Sequence, residues 1–176
     1  MLKNTINSYG AITKILHWVT AIIIISIISV GFYMTSMDNS KEKYEIYALH
    51  KSFGIIVLCI VLSRIAWRGM NIKVAAVPNL PKILTSLASI GHFLLYIFML
   101  IMPISGMTMS LFSGRSISFF NLFSIPAFAV NKQLASFFHL IHNISAKLLV
   151  ALIIGHILGA LYHHFIRKDQ VLKRML

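Results

Sequence analysis

The stretch SFFHLIHNISAKLLVALIIGHILGALYHHF, residues 136–165, holds one lysine, Lys147, and no Asp, Glu or Arg. Crossing a hydrocarbon core of roughly 30 Å takes about 20 helical residues, so this stretch is long and apolar enough to span a membrane. Within it His142 and His156 stand fourteen residues apart. That spacing is nearly four helical turns, which puts both rings on about the same face and separates them by roughly 21 Å along the axis. Polar rings at membrane depth are costly, and they mark functional positions by default. The stretch therefore predicts a membrane helix that carries chemistry at two depths.

Three more stretches meet the same criterion, Lys14 to Met37, Leu49 to Trp67 and Leu87 to Leu111. With Ser136 to Phe165 they predict an all-α, four-helix transmembrane bundle, read as a single unit over residues 1–176 with both termini on one side. The chain is 58% hydrophobic and only 11% charged, where soluble domains carry about 25% charged residues. Sixteen Lys and Arg against four Asp and Glu give a net charge of +12, an excess that points to nucleic acid or to anionic lipid. The cations lie between apolar runs and do not interleave with aromatics on a polar face, so nucleic acid is excluded and membrane lipid is the partner. Cys59 lies inside an apolar run, reads as a buried small hydrophobe, and rules out a disulfide framework or a cysteine metal site. Lys3 and Lys14 before an apolar stretch imitate a signal peptide, but the stretch reaches Met37 without a convincing cleavage site, and it is read as a retained helix.

The cation bias sets the orientation. Lys3, Lys14, Arg64, Arg68, Lys73, Lys82, Arg167, Lys168, Lys173 and Arg174 fall on the side of the termini, which is then the cytoplasmic side. The first connection, Asp38-Asn-Ser-Lys-Glu-Lys-Tyr-Glu45, is a polar loop on the opposite side. In the second, Pro78 and Pro81 interrupt the helical pattern. The third, Ser113 to Lys132, contains Phe119, Phe120, Phe123 and Phe128 and is expected to lie in the interface.

Of the histidines within the spans, six are the first candidates, His17, His50, His92, His142, His156 and His163. Because helix direction alternates, His50 and His142 are level near the outer side, and His17 and His156 are level near the inner side. Two opposed pairs at two depths are what two bis-histidine haems require, one imidazole above and one below each porphyrin plane. Zinc wants about four converging ligands, and no carboxylate or thiol stands at either level. Gly54, Gly91, Gly106, Gly155 and Gly159 make room either for a flat macrocycle or for close helix packing. His92 is deep enough to replace His17 opposite His156, and His139 stands one turn before His142.

The motifs Ile15-Leu-His-Trp18, Leu49-His-Lys-Ser-Phe-Gly54 with Ser63-Arg64, Gly91-His92 with Met102-Pro-Ile-Ser-Gly106, Ile141-His142, Gly155-His156 and His163-His164 resemble the bacterial cytochrome b561 family over nearly the whole chain. The resemblance implies a four-helix cytochrome with two b haems that exchanges electrons with ubiquinone, and members of this size include superoxide oxidases. It assigns His17 and His156 to the inner haem iron and His50 and His142 to the outer one. It also favours His163 as a quinone contact, since histidine can donate to a quinone carbonyl and pass a proton. Where such members show a lysine before the third helix, this chain has Asn79, with Lys82 nearby. On the outer side Lys51, Arg115, Lys132 and Lys147 are expected to form a cationic funnel for superoxide, a small anion. The alternative is a haem-anchoring subunit serving a partner dehydrogenase, a respiratory partner that polar loops this short give little room to dock.

Overall fold

In lipid a backbone satisfies its own N–H and C=O groups only by pairing within the segment, so each apolar stretch becomes one long helix. The computed structural model describes residues 1–78 and 80–176; Asn79, expected at the quinone, lies outside the described residues. The helices are α1 (Ala11–Ser36), α2 (Lys41–Gly69), α3 (Lys82–Phe112) and α4 (Lys132–Leu161), and all four are long and apolar enough to cross a membrane. The four-helix transmembrane architecture is thus the one the hydropathy predicts.

The helices begin earlier than the apolar runs do. α2 starts at Lys41, eight residues before Leu49, so Glu42 and Glu45 sit in its first turns and not in a loop. Ser40 explains the start, its side chain accepting the Lys43 N–H at 3.2 Å, and Glu42 complements the helix N-terminus. Asn131 caps α4 in the same way, accepting from the Leu134 N–H at 3.0 Å. α3 follows directly on Pro81 and carries Pro103 inside it. Across the short α1–α2 turn, Lys43 Nζ donates to the Met37 carbonyl at 2.6 Å.

The third connection, expected in the interface, has secondary structure of its own. It folds into a small antiparallel hairpin, β1 (Ile117–Phe119) and β2 (Phe123–Ile125), with Phe119 opposite Phe123. Phe120 and Asn121 both adopt left-handed backbone, at φ 47° and 60°, and the Leu122 N–H returns to the Phe119 carbonyl at 2.9 Å. Two left-handed central residues match the right-handed twist of the flanking strands. Ser52 of α2 fixes the hairpin, its Oγ 3.0 Å from the Ser118 carbonyl and 3.2 Å from the Phe120 N–H.

α1 packs on α2, α2 on α3 and α3 on α4. The buried centre takes Ile24 from α1, Val57 and Val61 from α2, Met99 from α3 and Leu149 from α4. Cys59, expected to be buried, is exposed on the outside of α2, because Val57 and Val61 take the inward positions on either side of it. The segments before α1, between α2 and α3, and after α4 meet at one end. There Ala75 N–H reaches the Ile6 carbonyl at 2.8 Å, Arg174 donates to the Ala75 carbonyl at 2.7 Å, and Trp18 Nε1 donates to the Met175 carbonyl at 3.0 Å.

Candidate functional site

Helix pitch delivers the histidines in two groups on either side of the apolar centre. At the level far from the termini, called outer after the expected orientation, the rings of His50 on α2 and His142 on α4 have centroids 6.4 Å apart. At the inner level His17 on α1 and His156 on α4 are 6.1 Å apart, and His92 on α3 is 5.4 Å from His156. His92 is exposed, whereas the other four rings are half-buried. Two imidazoles on opposite sides of one metal, each bound through nitrogen at about 2.0–2.1 Å with its centre about 1.1 Å further on, stand about 6.2 Å apart. The His50–His142 and His17–His156 spacings fit that distance, and the His92–His156 spacing is too short for it. His139 is exposed, with its ring beside Asn143.

The surroundings fit a flat group as well. The pairs join α2 to α4 and α1 to α4, which are not among the closely packed helix pairs of the described residues. Between α1 and α4 lies a cavity of about 150 Å³ lined by Ile25, Ile28, Ser29, Val150, Ile153 and Ile154. A Cβ built on Gly54, Gly91, Gly155 or Gly159 would meet nothing within 4 Å, so close helix packing does not account for these four glycines. Gly106 differs: its Cβ would stand 2.9 Å from Cε1 of His142. Gly31, which motif reading passed over, lies against the other outer ring, its Cβ position 3.3 Å from Cε1 of His50.

Hydrogen bonds orient the rings unequally. His142 Nδ1 donates to the Met102 carbonyl at 3.0 Å, with Ser105 Oγ 3.3 Å away. This fixes the proton on Nδ1 and leaves Nε2 as a ligand atom, the usual arrangement for a metal-binding histidine. His50 Nδ1 is buried without a hydrogen-bond partner among the described residues. At the inner level Arg64 Nη2 lies 3.3 Å from His17 Nδ1. A guanidinium only donates, so this contact puts the His17 proton on Nε2, and ligation through Nε2 requires Arg64 to turn. Arg64 and Arg68 also stand over the Tyr96 ring, at 5.5 and 5.6 Å.

A family model described as prokaryotic cytochrome b561 matches residues 8–176. The chain belongs to the prokaryotic cytochrome b561 family. It is 34% identical over 175 residues to cytochrome b561 homolog 2 of Escherichia coli, covering 98% of this chain and 93% of that protein. It is 28% identical over 171 residues to cytochrome b561 homolog 1 of the same organism, covering 97% of both. It is also 28% identical over 175 residues to a protein of Yersinia pestis named probable superoxide oxidase CybB, covering 96% of this chain and 95% of that one. As a cytochrome b561 the chain is a multi-pass membrane protein that binds b-type haem and transfers electrons.

The remaining site residues fall in two places. Lys51 is half-buried on α2 within Coulombic reach of the exposed Arg115 beside the hairpin. Lys132, the first residue of α4, is exposed. Lys147 is exposed on α4, two residues from each of the buried Ser145 and Leu149, a step that turns it away from the bundle interior toward lipid. Beside the outer pair a cavity of about 370 Å³ is lined by Glu45, Ala48, Leu49, Ser52, Ser118, Phe120 and Asn121. At the inner end Lys82 is the exposed first residue of α3. His163 follows α4 in a π-helical turn, Tyr162–Ile166, and its Nδ1 lies 2.6 Å from Oδ2 of Asp169. Asp169 had escaped notice in the sequence. The signal was there: it is the one acid near the inner end, six residues after His163.

Proposed function

We propose that this cytochrome holds two b haems, His50 and His142 ligating the outer iron and His17 and His156 the inner one, and that it works as a superoxide oxidase with ubiquinone as acceptor. The observation that carries the reading is the pair of imidazole spacings, 6.4 and 6.1 Å, at two depths of one bundle. Bound b haem supplies reversible one-electron chemistry, with potentials tuned by ligand hydrogen bonds and burial. Support for the substrate comes from the relative named probable superoxide oxidase and from the outer cations. Lys51 and Arg115 draw the superoxide anion to the outer side, Lys132 stands at the rim, and Lys147 snorkels toward the outer head groups. His163 receives the quinone at the inner end, with Lys82 and Asn79 supplying polar contacts. Two superoxide ions leave as two dioxygen molecules, and ubiquinone takes up two electrons and two protons to become ubiquinol. The termini face the cytoplasm of a bacterial inner membrane, in line with the cation bias.

Haem extracted and counted from detergent-purified protein, together with oxidised and dithionite-reduced spectra, tests the cofactor assignment. Two low-spin b haems per chain are expected. His142→Ala and His50→Ala each lose the outer haem, His17→Ala loses the inner one, and His92→Ala keeps both; the reverse behaviour of the last two overturns the inner pairing. Superoxide consumption with a short-chain ubiquinone should exceed spontaneous dismutation and fall as salt rises, since a cationic funnel is screened over about 10 Å at 0.1 M. Background rates, with a dehydrogenase co-purifying in mild detergent, would favour the anchoring role instead.

A further inference from the structure

The other three acids, Asp38, Glu42 and Glu45, stand at the opposite end of the bundle from Asp169. The chain makes a specific effort to bring Asp169 to His163. α4 widens into the π-turn, closed by the Arg167 N–H on the Tyr162 carbonyl at 3.1 Å. Lys168 then takes left-handed backbone, φ 53°, and the Asp169 N–H returns to the His163 carbonyl at 3.1 Å. The two residues are thus joined twice, by backbone and by side chain. Both side chains are nearly enclosed, at 13% and 14% exposure. The other carboxylate oxygen, Oδ1, accepts the Val171 N–H at 3.0 Å, and Arg167 Nε lies 3.5 Å from Oδ2. Among the described residues Nε2 of His163 has no hydrogen-bond partner. π-Helical turns of this kind occur frequently at functional sites.

We infer that Asp169 is a positioning residue for quinone reduction: its carboxylate holds the Nδ1–H of His163, so that Nε2 is the nitrogen that passes a proton to the quinone. The inference rests on the placement of ubiquinone at His163 proposed above. An ionised carboxylate only accepts, so the ring proton at this contact belongs to Nδ1. One proton moves from Nε2–H of the imidazolium to the near carbonyl oxygen and is replaced from water at the inner end. The far oxygen takes the second proton from water. The two electrons come from two superoxide ions, which leave as dioxygen. Asp169 stays ionised throughout and stabilises the imidazolium. Burial works against its charge, but the hydrogen bonds from His163 and the Val171 N–H and the charge of Arg167 prevail and hold its carboxyl below the ordinary value. Arg167 and His163 are the charged or titratable groups acting on it among the described residues. Arg174, from further along the tail, is engaged on the Ala75 carbonyl, and the Tyr162 ring meets His163 edge-on at 5.9 Å.

The test uses haem-loaded, full-length wild-type protein and the variants Asp169→Asn, Asp169→Glu and His163→Ala, with superoxide and a short-chain ubiquinone. Asparagine keeps the shape and one acceptor oxygen, so the Val171 N–H keeps its partner while the group facing His163 Nδ1 becomes an amide NH2, which only donates. Asp169→Asn should retain haem content and spectrum yet slow ubiquinol formation about 100-fold, the low end of what a general acid contributes. Asp169→Glu should recover most of the wild-type rate. Independently of turnover, ¹⁵N spectra of histidine-labelled wild-type protein should show the neutral His163 ring protonated at Nδ1. A ring protonated at Nε2 overturns the inference, as does an Asp169→Asn variant with wild-type rate while His163→Ala is slow. Wild-type protein that leaves ubiquinone oxidised overturns the parent reading, and this one with it.

Discussion

A methyl group on Gly106 would stand 2.9 Å from Cε1 and 3.1 Å from Nδ1 of His142, closer than carbon atoms approach without displacement. Gly106→Ala therefore pushes the outer imidazole off the Met102 carbonyl that orients it, an overpacking cost of about 1–3 kcal/mol. Haem counting should show the outer site depleted in Gly106→Ala, less so in Gly31→Ala, where the approach is 3.3 Å, and unaffected in Gly155→Ala. Individual residues were legible to different degrees. The histidines announced themselves, since a polar ring in an apolar run stands out by itself. Gly106 could be named as a small residue near the right depth, but not separated from Gly54 or Gly155, because spacing along one helix does not say which ring of another helix leans on it. Gly31 and Asp169 were missed for the same reason: each matters through a partner brought near by packing or by a turn.

At the scale of the elements, hydropathy located four helices and misjudged where they begin. The helix starts are governed by Ser40 and Asn131, whose side chains take the N–H groups that an N-terminal turn leaves free, and a hydropathy window does not register a cap. The hairpin was hidden likewise, since its turn depends on two residues, Phe120 and Asn121, holding left-handed backbone, which a phenylalanine rarely does. Ser52 is the residue that holds it to α2, buried at 2% exposure between the Ser118 carbonyl and the Phe120 N–H. Ser52→Ala leaves those groups short of a partner and should cost about 1–3 kcal/mol. A lowered melting temperature and faster proteolysis between residues 113 and 131 are the expected readouts.

For the whole molecule, the proposed orientation makes a direct prediction. In a Cys59→Ser background, cysteines placed at Lys3 or Lys173 should react with a membrane-impermeant maleimide only after the cytoplasmic side is opened, and one at Lys41 in intact cells. The tail also carries a pH dependence. The Asp169 carboxyl is held below its ordinary value of 3.8, so the stability it gives the tail is complete above that value and is lost as pH falls through the lowered one. Hydrogen exchange at residues 167–176 should therefore rise on acidification in wild-type protein and change little in Asp169→Asn. One further property follows from α4 carrying a member of each imidazole pair. The gap between the two levels is then fixed by helical pitch, at roughly 21 Å, and owes nothing to lipid. A bilayer thickened or thinned by growth temperature tilts such a helix without stretching it, so the cytochrome can keep one internal transfer distance while the membrane around it changes its dimensions.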